Sequence, residues 1–150
     1  MKEEPLATQL TTFGRRVVIN DPTCGSSRNL LASSAVFERN KWRKPYLVGE
    51  DLDLLCCKMS AVNMAVHGCF GEVVCHNTLT EPDKVKAGYI INETMWPFPS
   101  NMPSIRPCSD ESKFFCVKVA NSMKRTKEKE DAEKNMKPDN TIKGTQLELF

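Results

Sequence analysis

No apolar run in this 150-residue sequence approaches the roughly 20 residues that a membrane-crossing helix needs. The stretch Met1 to Pro5 is charged and leads into no apolar segment, so nothing there reads as a secretion signal. Both absences predict a cytoplasmic protein with no membrane partner. The seven cysteines include no Cys-x-x-Cys pair, their number is odd, and most stand in apolar surroundings. In a reducing compartment such thiols act as small buried hydrophobes. His67, Cys69, Cys75 and His76 have the residue types of a zinc site, but their spacing matches no zinc-binding pattern. The sequence therefore predicts no metal. Net charge is small as well: 21 basic and 19 acidic residues leave +2, too little to argue for nucleic-acid binding by itself. No internal repeat is present.

What remains is 40% hydrophobic and 27% charged, the balance of one soluble globular domain. A chain of this length can bury a core without disulfides or metal. Val17-Val18-Ile19 closes a short β-branched run, Arg15 to Asn20, that reads as a strand. The loop Asp21-Pro-Thr-Cys-Gly-Ser-Ser27 follows, and Arg28 to Phe37 has helical composition. Pro45 to Glu50 predicts a second strand. From Leu52 to His67 the apolar positions Leu55, Met59, Val62 and Val66 recur at helical spacing and predict an inward-facing stripe, capped by Gly68. Glu72 to His76 and Ala87 to Asn92 predict two further strands. This alternation implies βαβ crossovers and a mostly parallel α/β sheet. Trp96 to Pro107 carries four prolines and is irregular, and Lys113 to Val119 suggests an edge strand. Lys124 to Lys137 is a dense mixed-charge run, a solvated helix or a linker.

Three polar groups fall at three successive strand ends, where α/β sheets bind ligands. The first is the small-residue loop Asp21 to Ser27, followed by the free amides of a helix start. The second is Asp51, a carboxylate placed to accept ribose hydroxyl hydrogens. The third is Asn77, whose amide can both donate to and accept from an adenine edge. Each has a plainer reading beside it: a turn, a helix N-cap, a strand end.

Together these residues carry a family resemblance. Asp21-Pro22-Thr23-Cys24-Gly25-Ser26 resembles the S-adenosylmethionine motif of N-6 adenine DNA methylases, including the methylation subunits of type I restriction-modification systems, usually Asp-Pro-x-Cys-Gly-Ser-Gly. Val48 to Asp53, running into Asn63-Met64 and His67-Gly68, is similar to the second motif and its helix, and Asn77-Thr78-Leu79 is similar to the third. The resemblance covers roughly residues 15 to 120 and implies a Rossmann-like S-adenosylmethionine-dependent methyltransferase fold, reduced or incomplete. It implies that Asp21, Cys24 and Gly25 line the methionine end of the cofactor, that Asp51 holds the ribose and that Asn77 meets the adenine. Asn92 and Trp96 stand where the family has Asn-Pro-Pro-aromatic, and the resemblance implies that they receive and stack the flipped-out adenine of DNA. The sequence departs from the family at Ser27 for glycine, at Asn77 for aspartate, and in lacking both prolines after Asn92. The alternative reading is a catalytically inactive relative working as a DNA- or clamp-associated module.

Only about 15 residues precede the first strand, which suggests a reduced member, a truncated gene product or one part of a split protein completed by a companion chain. The end of the chain carries a separate signal. Gln146, Leu147, Leu149 and Phe150 resemble the short peptide with which bacterial replication and repair proteins bind the DNA sliding clamp. The organisation expected is a methyltransferase-like domain over 1–120, a charged, disordered linker over 121–145, and the peptide over 146–150.

Overall fold

The computed structural model describes residues 12–13, 16–93 and 102–136. Six strands form one sheet in chain order: β1 (Thr12–Phe13), β2 (Arg16–Asp21), β3 (Tyr46–Asp51), β4 (Phe70–Asn77), β5 (Glu81–Ile91) and β6 (Ile105–Pro107). Helices α1 (Arg28–Arg39) and α2 (Leu54–Val66) provide the two crossovers of the parallel run β2-β3-β4. The remaining pairings, β1 with β2, β4 with β5 and β5 with β6, are antiparallel. The sheet is therefore mixed rather than mostly parallel.

The correction lies in β5. Only Thr78, Leu79 and Thr80 separate it from β4, too few for a parallel crossover, which takes a dozen residues or more. The chain turns back instead. Asn77 Oδ1 accepts from the amides of Leu79 (3.1 Å) and Thr80 (3.1 Å) and shapes that turn. One consequence is that strand order never reverses, so the described sheet lacks the switch-point crevice of doubly wound folds.

Strand alternation builds a core on each face. Leu47, Val73 and Cys75 face α1 and α2, packing with Leu30, Cys57 and Met64. Val48 and Val74 face the other way, against Phe114, Cys116 and Val117. Phe114 lies so close over Gly88 that a Cβ there would stand 2.0 Å from its ring. Behind it, α3 (Phe115–Met136) leaves the sheet. Residues 113–119, expected as an edge strand, instead form the end of a 3-10 turn and the start of α3. The same helix runs unbroken across residue 121, where the sequence suggests a linker.

The buried face of α2 is also not the expected one. Leu55 is 63% exposed and Val66 66%, and Met59 and Val62 are exposed with them. The sheet is met by Cys57, Ser60, Ala61, Met64 and Ala65. Small residues there let the helix axis approach the strands closely, and the bulkier stripe is left outside.

Candidate cofactor-binding site

Asp21, Asp51 and Asn77 end the three neighbouring parallel strands. In register, Asp21 lies beside Gly49 and Asp51 beside Cys75, so the three polar groups share one end of the sheet. The loop after β2 is closed onto that end by backbone and side-chain bonds. Cys24 N donates to Glu50 O over 2.8 Å, and Gly25 N donates to Asp51 Oδ2 over 2.9 Å. Asn63 Nδ2, from α2, donates to Ser26 O over 2.9 Å. Gly25 has φ +51°, a conformation that suits glycine, and a Cβ there would meet nothing within 4 Å. The backbone is therefore open to a ligand on that side.

Asp51 serves two amides: its Oδ1 accepts from Asp53 N over 2.9 Å while Oδ2 holds Gly25. A carboxylate offers about four lone-pair sites, so acceptor capacity remains. The N-cap role falls to Asp53, whose side chain accepts from Leu55 N over 2.8 Å. Asp21 holds its own loop, accepting from Thr23 N over 3.2 Å and from Asn29 Nδ2 over 3.4 Å. Cys24 is buried under the loop against Ser60, and burial raises its thiol to about 11, so it packs and does not act as a nucleophile. Asn77 spends its oxygen on the turn and keeps its amide nitrogen as a donor.

Ser27 departs from the family's glycine without obstructing the loop. Its backbone takes the left-handed conformation, φ 67°, a region that favours glycine. Its side chain is fully buried and hydrogen-bonds Ser60 of α2, pointing into the protein. The αL conformation of a non-glycine residue costs roughly 1–2 kcal/mol, and the buried hydroxyl pair offsets part of that.

Asn92 is placed elsewhere. Because β5 is antiparallel, its end lies beside Gly71 while Asp51 lies beside Cys75. Four residues of strand at about 3.3 Å each separate those levels, so the two sites are at least about 13 Å apart along the sheet. Asn92 is fully buried there. Its Nδ2 donates to Ala65 O (3.1 Å) and Cys69 O (2.8 Å), and its Oδ1 accepts from Ser104 N (2.8 Å). These three bonds tie the end of α2 to the residue before β4 and to the segment before β6. Glu93 beside it is exposed and pairs with Arg106. Trp96 and the peptide Gln146, Leu147, Leu149 and Phe150 lie outside the described residues.

The zinc-like quartet does not assemble. His67 and Cys69 precede β4, whereas Cys75 and His76 lie at its far end on opposite faces. Sequence reading overlooked Glu50. It reaches across to His76, with Oε2 and Nε2 2.5 Å apart, on the face turned to α3. Alternation from Asp51 was the only signal that pointed to it.

The chain belongs to the N-6 DNA Methylase family, whose pattern it matches over residues 5–140. No curated protein and no solved structure is a match to it. Family membership gives DNA methylation as the general activity. None of the helices among the described residues is long and apolar enough to cross a membrane.

Proposed function

We propose that this chain is the S-adenosylmethionine-binding portion of a DNA adenine-N6 methyltransferase. The observation that carries the reading is the Gly25–Asp51 hydrogen bond, which joins the small-residue loop of one strand to the carboxylate ending the next. In this reading Asp51 accepts the ribose hydroxyl hydrogens, Asn77 offers its amide nitrogen to the adenine, and Asp21 to Gly25 line the methionine end. The cofactor would supply an electrophilic methyl group. Calorimetric titration of S-adenosylmethionine into the purified chain tests this, with Asp51→Ala as the variant that removes the ribose acceptor.

A second reading concerns transfer itself, and Asn92 favours it. With Asn92 committed to Ala65, Cys69 and Ser104, and at least about 13 Å along the sheet from Asp51, its side chain is not beside the loop to accept from an adenine amine. The Asn92 and Trp96 pair then acts in methyl transfer only after a rearrangement or with a companion chain. If no companion exists, the chain is an inactive relative, brought to DNA by its terminal peptide on the sliding clamp. A methyl-transfer assay on adenine-containing DNA, with and without cell extract, separates the two.

A further inference from the structure

The face of the sheet turned to α3 carries a group of side chains that the cofactor reading does not use. Alternation puts Glu50 and His76 there on adjacent strands, and the first turn of α3 brings Cys116 to them. All three are buried. Thr78 Oγ1 donates to Glu50 Oε2 over 3.3 Å, the same oxygen that meets His76. One ligand atom from each of Glu50, His76 and Cys116 lies within 4.8 Å of the other two. These residues also line a cavity of about 530 Å³ whose other walls include Asn20, Met123 and Lys124.

We propose that Glu50, His76 and Cys116 bind one divalent transition-metal ion of the zinc class, leaving a fourth coordination position toward the cavity. The donor set of one carboxylate, one imidazole and one thiolate suits zinc, and three protein ligands with an open position is the arrangement of reactive rather than structural zinc sites. Charge favours it. One carboxylate and one thiolate neutralise a divalent ion, so the buried centre carries no net charge.

A tetrahedral ion with bonds of about 2.0–2.3 Å sets its donors roughly 3.3–3.8 Å apart. The Glu50–His76 contact of 2.5 Å therefore opens by about an ångström on binding. Binding forms the metal–sulfur bond and releases the Cys116 thiol proton to solvent. Thr78, bonded to Glu50, orients the carboxylate from behind. This set shares only His76 with the quartet that the sequence spacing rejects.

The test uses the full chain, reduced without thiols and stripped of metal by chelation. Titration with Co²⁺ reads a thiolate-to-cobalt charge-transfer band in the near ultraviolet, which appears only when a cysteine is a ligand. The expected result is saturation at one equivalent. Cys116→Ser loses the band and weakens Zn²⁺ binding at least about tenfold, while Cys75→Ser, outside the cluster, keeps both. A second measurement needs no variant: Zn²⁺ protects Cys116 from alkylation in the wild-type chain, read by mass spectrometry. Absence of the band, a band that Cys116→Ser retains, or alkylation of Cys116 unchanged by Zn²⁺ overturns the proposal.

Discussion

The amide of Gly25 donates to the carboxylate of Asp51 over 2.9 Å, and the other oxygen of that carboxylate holds the amide of Asp53. One side chain thus fixes both the loop after β2 and the entry to α2. Asp51→Ala should lower stability by about 1–3 kcal/mol, the range for stranding hydrogen-bond partners. Denaturant unfolding reads the loss, and faster amide exchange at Gly25 locates it.

Asn92 makes three side-chain hydrogen bonds in a fully buried position at the far end of the sheet. Asn92→Ala should cost roughly 2–4 kcal/mol, because Cys69 O and Ser104 N each lose a hydrogen bond and Ala65 O, which also accepts from Gly68 N, loses one of its two. Its effect on S-adenosylmethionine affinity should be negligible, since the loop and Asp51 are untouched. Denaturation and calorimetry on one preparation separate the two quantities. A loss of affinity equal to that of Asp51→Ala would place Asn92 in the cofactor site after all.

On α2 the buried and exposed faces give opposite expectations. Met64 is fully buried against β3 and β4, so Met64→Ala should cost about 2–5 kcal/mol. Val62, although apolar and in phase with Leu55 and Met59, is 51% exposed. Val62→Ala should fall within about 0.5 kcal/mol of wild type. Thermal melts of the two variants decide which face meets the sheet.

Glu72 anchors the start of α3: Oε1 accepts from Phe115 N over 2.6 Å, and Oε2 accepts from the Tyr46 hydroxyl over 2.9 Å. Burial raises its carboxyl above the ordinary 4.5, against the opposing pull of those bonds. A raised folded value means that its stabilising contribution is full below the unfolded value and is lost as pH rises through the folded one. Stability of the wild type relative to Glu72→Gln should therefore fall as pH rises from about 4.5 toward neutrality. Urea midpoints of both proteins across that range, in EDTA, give the slope. A difference that is flat or rises with pH contradicts the assignment.

Local signals carried much of this fold, and pairing decisions carried the rest. The β-branched run at Val17–Ile19 and the small residues after Asp21 mark β2 and its loop because both are properties of neighbouring residues. The direction of β5 is a question of partner choice. The sequence did contain a clue, since even a strand starting at Ala87 leaves too short a connection from His76 for a parallel crossover. On α2 the apolar residues run around the whole helix, so periodicity selects the bulkiest stripe, whereas packing selects the small one. Charge composition alone does not separate a solvated helix from a linker, which is why the run Lys124 to Lys137 reads either way. The Glu50, His76 and Cys116 group was out of reach, because α3 brings in Cys116 from another part of the chain.

The most direct measurement is calorimetric titration of S-adenosylmethionine into the full chain, with Asp51→Ala and Asn92→Ala alongside. The account predicts saturable binding by the wild type, retained by folded Asn92→Ala and lost in folded Asp51→Ala. No binding by the wild type, or binding that survives Asp51→Ala unchanged, would contradict it.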